Sequence, residues 1–113
     1  MTITNLTPHA ITLRAPDGVE TTLPSEGVAR VSARPGELTE CGLPVPVAGP
    51  DEVGEVTGLP VPVEGVFFLV SGMVGGALRG TRADVLVPGT GPADGAIRNK
   101  KNHIIAVTRL KRV

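Results

Sequence analysis

Three side chains of this 113-residue chain have the chemistry of soft metal ligands or of a thiol–imidazole pair: His9, Cys41 and His103. Structural zinc takes about four ligands at knuckle or helical spacing, and no two of these three lie at such a spacing. No metal site is predicted. A Cys–His nucleophile pair needs a base within hydrogen-bonding reach. No flanking signature supports one here, and a lone cysteine is usually a small buried hydrophobe. Ser71, in "LVSGM", falls where a strand gives way to a helix, the position of a nucleophile elbow. The G-x-S-x-G pattern fails, however, because Leu69 stands two residues before the serine. The chain is also too short for an α/β-hydrolase sheet, so helix capping is the better reading. Asp51, Glu52 and Glu55 sit in a Gly/Pro-rich stretch with no nameable partner and read as a solvated acidic loop. No catalytic set is predicted and no cofactor is expected. A small hydrolase is the third of three readings.

Anion binding is the chemistry the residues favour. "SGMVGGALRG" joins a helix start to glycines that let a ligand approach the backbone. It is not a Walker motif, since no Gly-Lys-Ser/Thr follows. Arg79 and Arg82 lie beside it, and "RNKKNH" adds Arg98, Asn99, Lys100, Lys101 and His103. "VPGTGPADG" supplies a second Gly-rich loop at a strand end, where ligands commonly bind. The competing reading of "RNKKN" is a solvated hairpin turn. Ser71 and Gly72 are expected to cap a phosphate. Asn5, Thr7 and His9, in "NLTPHAI", are expected to add polar recognition groups only if the fold brings the first turn beside this pocket and to the basic hairpin at 98–103.

The elements that would position these groups are legible in outline. Thr2–Thr4 and Ala10–Arg14 read as strands around the Pro8 turn. "PDG" is a turn, with Pro16 presetting φ and Gly18 free to take φ > 0. Segments 19–24 and 28–33 alternate as strands do, so the first thirty residues are expected to form a meander. "GLPVPV" occurs at 42–47 and again at 58–63. Alternating proline cannot donate to a ladder, so both runs predict edge strands or extended connectors. A short strand is expected near Gly54–Val56. "VFFLV" (66–70) is a continuous apolar run and predicts a buried central strand. A helix over about 71–79 follows, with Ser71 at its N-cap and Gly80 at its end. Gly72, Gly75 and Gly76 weaken that helix by up to about 1 kcal/mol each relative to alanine. Packing or ligand approach must therefore favour them. Residues 83–89 return as a strand, and 96–110 read as a hairpin with its turn near Asn99–Asn102 and a last strand over 103–110. The predicted class is α+β in a single domain over 1–113: mostly antiparallel β, as a meander or small barrel-like sheet, with one short helix.

Composition narrows the functions. Hydrophobic residues make up 41% of the chain and aromatics 2%, with no Trp or Tyr, so the core must be tiled from Val and Leu, which suits strands. Phe67 and Phe68 are the only rings and fall in the predicted core strand. Polymeric nucleic acid is thereby disfavoured, since single-strand binders use aromatic platforms. Net charge is zero but segregated. Residues 1–78 hold three arginines against nine acids, net −6, and residues 79–113 hold eight cations against Asp84 and Asp94, net +6. Such asymmetry marks a basic surface for an anion, or halves that neutralise each other in the fold or between subunits. One cysteine forms no internal disulfide. With no secretory leader pattern and no apolar run near the roughly 20 residues that span a bilayer, the expectation is a soluble, cytoplasmic protein with no membrane partner.

"NLTPHAI", "GEVTGLPVPVEGVFFLVSGMVGGAL" and "DVLVPGTGP…IRN…IIAVTRL" together resemble a family of small proteins of high-GC bacteria and their phages. The resemblance runs nearly end to end and brings no activity with it. Its phage setting implies one class by analogy: small, non-catalytic, oligomeric proteins that sequester nucleotide signals of host immunity. The leading expectation is thus a binding protein for a phosphorylated, nucleotide-like small molecule, in a homo-oligomer with its pocket at or near a subunit contact. The alternative is a structural or protein-interaction module in which the "GLPVPV" edges matter most.

Overall fold

The computed structural model describes residues 1–113 as twelve strands and one helix. In chain order the strands are β1 (Thr2–Asn5), β2 (Ile11–Arg14), β3 (Glu20–Leu23), β4 (Arg30–Arg34), β5 (Leu38–Thr39), β6 (Val47–Ala48), β7 (Glu52–Thr57) and β8 (Val66–Leu69). The helix α1 (Gly72–Ala77) precedes β9 (Val85–Pro88), β10 (Ile97–Arg98), β11 (Ile104–Ala106) and β12 (Leu110–Arg112). The class is α+β, rich in antiparallel pairs, and no sheet closes into a barrel.

The central sheet has the order β1-β8-β9-β12. β8 is its most buried strand, with Phe68 and Leu69 at 3% exposure or less and Val70, just beyond its end, fully buried, as the unbroken "VFFLV" run predicts. β1 and β9 flank it in parallel, and β12 pairs antiparallel with β9. A parallel neighbour needs a crossover, and α1 supplies the one from β8 to β9. Ser71 caps α1, its Oγ accepting from the Val74 amide at 3.4 Å. Leu6, Ala29, Phe68, Val70, Val74 and Val85 form the core between α1, the sheet and the start of β4, with Val31, Val56 and Leu59 packed against it.

The expected meander over the first thirty residues does not form. β2 and β3 make the hairpin, but β1 pairs with β8 and β4 pairs with β7. The apolar β8 offers β1 a buried partner that the polar-faced β2 cannot. The strand expected over 103–110 is likewise two, β11 and β12, separated at 107–109 where the chain leaves one sheet for another.

Two features project from this body. β4 and β7 form an antiparallel ribbon with a bulge between Val31 and Ala33, continued by the small β5–β6 hairpin at its tip. β10 and β11 form the second hairpin, with Asn102 at φ 65° in its turn, a conformation Asn tolerates better than most residues. The two "GLPVPV" runs differ: residues 42–46 bend as the loop of the β5–β6 hairpin and Val47 enters β6, whereas residues 58–63 are a connector between β7 and β8, and Val45 and Val61 are exposed.

Candidate functional site

Loops 6–9, 70–72 and 89–91 leave the C-terminal ends of the three parallel strands β1, β8 and β9 on the same side of the sheet. Ligands of open α/β sheets bind in such positions. Between these loops lies a crevice of about 280 Å³ lined by Thr7, Pro8, His9, Ile11, Ser71, Gly72, Pro88 and Thr90. The fold therefore brings the first turn to the start of α1, although no residue of the basic hairpin at 98–103 shares the crevice. Thr90, from the "VPGTGP" loop, joins them; the loop was legible in sequence as a ligand-type turn, although the threonine was not.

A second groove, of about 220 Å³, adjoins the crevice at Gly72. It is lined by Gly72, Gly75, Gly76, Arg79, Val87, Arg112 and Val113. Arg79 and Arg112 are exposed, and neither forms an ion pair in the fold. Arg112 was missed in sequence because nothing local marks β12 as the neighbour of β9. The three helix glycines divide by surroundings. A Cβ on Gly75 would lie 2.4 Å from Val87 Cγ1 and 2.8 Å from Val113 Cγ1, whereas one on Gly72 or Gly76 would meet nothing within 4 Å. Close packing explains Gly75. Nothing within the chain explains why Gly72 and Gly76 are not larger, and both face the grooves.

The geometry reassigns several expected ligand groups. Asn5 is fully buried. Its Nδ2 donates to the His9 and Leu23 carbonyls, and its Oδ1 accepts from the Thr7 amide and Thr7 Oγ1, all at 2.7–2.9 Å. Thr7 Oγ1 donates within this network, and the Thr7 carbonyl accepts from Ser25 Oγ. Asn5 thus has a structural role: it ties the "NLTPH" turn to the end of β3. Thr7 shares that role while its surface edges the crevice. Arg82 is also structural, with its guanidinium forked onto Asp84 at 2.7–2.8 Å and donating to the Pro60 carbonyl at 3.0 Å. This contact raises the arginine and holds the Asp84 carboxyl below its ordinary range, against the opposing effect of burial.

The basic hairpin does not line the crevice. Asn99 Oδ1 accepts from the Lys101 and His103 amides, and Arg98 Nη1 donates to the Asn102 carbonyl, so both shape the turn. Lys100, Lys101 and His103 are exposed. β11 lies beside residues 10–12, across a shallow groove lined by Ala10, Ile11, Thr12 and Ile104–Val107, with Leu13 bridged in parallel to Val107. Gly89 lets the 89–95 loop close tightly, since a Cβ there would lie 2.7 Å from Arg109 Cγ. Asp94 secures that loop: it accepts from the Gly91 amide at 2.8 Å and faces Lys111 at 3.3 Å and Arg109 at 3.8 Å. The amide first, then the two cations, hold its carboxyl below the ordinary range although burial opposes them.

All five ion pairs join residues within one half of the chain: Arg14–Glu20, Arg34–Glu52, Arg82–Asp84, Arg109–Asp94 and Lys111–Asp94. The acidic and basic halves do not neutralise each other inside the fold. A groove of about 300 Å³ between the β2–β3 hairpin and residues 107–110 is slightly larger than the crevice. Its cations, Arg14 and Arg109, are already paired with Glu20 and Asp94, which makes it the poorer anion site. Cys41 lies exposed near the ribbon tip, its thiol 3.7 Å from the Thr39 carbonyl. No three His, Cys, Asp or Glu side chains gather as a metal-holding group, and no helix is long and apolar enough to cross a membrane. Compared with family models, curated proteins and solved structures, the chain matches none.

Proposed function

We propose that this protein binds a phosphorylated, nucleotide-like small molecule without turning it over, and that it does so as a homo-oligomer. The supporting observation is the pair of grooves meeting at Gly72. One is lined by no Lys, Arg, Asp or Glu, with Thr7, His9, Ser71 and Thr90 among its wall residues. The other carries Arg79 and Arg112 and no Asp or Glu side chain. The first suits a base or sugar, which needs apolar walls and a few hydrogen-bonding groups. The second suits phosphate, which guanidinium groups grip by paired charge-assisted hydrogen bonds. Arg98, Lys100 and Lys101, on the β10–β11 hairpin, line neither groove and are given no part in holding the ligand. In the phage setting that the resemblance implies, such a protein would sequester a host nucleotide signal.

Thermal shift against a panel of cyclic dinucleotides and ADP-ribose derivatives tests this. A ligand at about 100 times its Kd adds about 2.7 kcal/mol, roughly a 10 °C rise for a domain of this size. The rise is expected for at least one compound, and it should shrink strongly in Arg79→Ala/Arg112→Ala. No shift across the panel would remove the support for the reading, and consumption of a ligand would favour the hydrolase instead.

A further inference from the structure

The molecule is too extended for a self-contained domain. Its radius of gyration is 16.9 Å, against about 13 Å for a compact chain of this length. Its accessible surface is 7752 Å², against about 5,800 Å² for a folded monomer of this mass. The excess, about 1,900 Å², is more than the roughly 800 Å² that each partner contributes to a standard interface. Only 14 of 113 residues are buried, so much apolar surface remains uncovered.

Much of that surface lies on the two projections, and their charges are opposite. The ribbon and its tip expose Leu38, Leu43, Val45, Val47 and Val53. Segment 37–51 carries Glu37, Glu40 and Asp51 and no cation, and none of these acids is in an ion pair. The β10–β11 hairpin exposes Ile104 and Ile105 beside Arg98, Lys100 and Lys101, which also lack carboxylate partners. Uncovered apolar side chains bounded by unpaired charge mark an interaction surface, and complementary charge fixes register and partner choice.

We propose that the tip of the β4–β7 ribbon docks on the β10–β11 hairpin of a second copy of this chain. Leu38, Leu43 and Val47 cover the partner's Ile104 and Ile105, and Glu37 and Glu40 face the partner's Lys100 and Lys101. The exchange is reciprocal in a two-fold dimer or passes from subunit to subunit in a ring. Either way it supplies between subunits the neutralisation that is missing within each one. The contact stands on surface and charge alone and does not depend on a ligand in the grooves.

Light scattering coupled to gel filtration reads the outcome as mass. The full chain is expected at a multiple of 11.6 kDa. A variant lacking residues 37–48 tests the ribbon without disturbing the body, because Gly36 and Gly49 are already in backbone contact and an Asn-Gly turn can join them. It should run at the monomer mass with an unchanged circular dichroism spectrum from the body. Lys100→Glu/Lys101→Glu should also run as monomer, and adding Glu37→Lys/Glu40→Lys should restore the larger mass. A full chain of monomer mass, or an oligomer that survives both ribbon removal and charge reversal, overturns the proposal.

Discussion

Alanine at Gly76 and alanine at Gly75 should have opposite effects, although the two positions are adjacent in one six-residue helix. In an exposed helix interior the replacement of glycine by alanine gains about 0.5–1 kcal/mol. At Gly76 the new methyl meets nothing within 4 Å, so the full gain is expected. At Gly75 the methyl would lie 2.4 Å from Val87 Cγ1 and 2.8 Å from Val113 Cγ1. Val87 is β-branched, stiff at χ1 and held in β9, and over-packing of this kind costs about 1–3 kcal/mol. The two variants should therefore differ by about 1–3 kcal/mol, or roughly 4–10 °C in Tm. Urea or thermal unfolding followed by far-ultraviolet circular dichroism measures it. The functional half of the prediction runs the other way. Gly72→Ala and Gly76→Ala place a methyl in the grooves, so both should fold at least as well as the parent and bind a nucleotide ligand tenfold or more weakly, about 1.4 kcal/mol. If Gly76→Ala destabilises as much as Gly75→Ala, the division of the glycines is wrong. If both groove variants bind as tightly as the parent, the open glycines have no part in recognition.

Asn5→Ala should destabilise the chain by about 2–4 kcal/mol, because it strands several buried or half-buried hydrogen-bonding groups at once; chemical denaturation measures this, and a loss under about 1 kcal/mol would contradict the turn-clamp role. Asp94 has a depressed folded-state pKa, so its contribution is present above the ordinary carboxylate value of about 3.9 and is lost as pH falls through the lower folded value. The urea midpoint of the parent should thus fall with acidification below about pH 4, and Asp94→Asn should be less stable at neutral pH with a flatter acid limb; parallel curves would refute it. Cys41, near the ribbon tip, should react with a thiol reagent more slowly as protein concentration rises through the association range, and a concentration-independent rate would contradict docking of the tip.

Local patterns in the sequence were reliable where one segment decides its own structure. The unbroken "VFFLV" run marks the buried strand, Ser71 marks the start of α1, and Asn99–Asn102 mark a turn whose last residue takes positive φ. Partnerships between distant segments were not legible. β1 meets β8 across some sixty residues and β12 meets β9 across more than twenty, and nothing in "TITN" or "LKR" names those partners. The same reason hides Arg112 as the neighbour of Arg79. Asn5 was misread as a recognition group because a buried Asn that satisfies loop carbonyls and one that meets a ligand have the same sequence appearance. Only its burial separates them. Ser71, Gly72 and His9 line one crevice because the turn and the helix start both follow strands that the apolar pattern drives into one sheet.

The central claim is a bound nucleotide, and ultraviolet absorbance tests it with little background because the chain has no Trp or Tyr. Protein purified from cells that contain the cognate signal, passed through gel filtration and then denatured, should release material absorbing at 260 nm in near-stoichiometric amount, with much less released by Arg79→Ala/Arg112→Ala. A flat spectrum at 260 nm from the parent protein, both as isolated and after incubation with the nucleotide panel and re-filtration, would contradict the account.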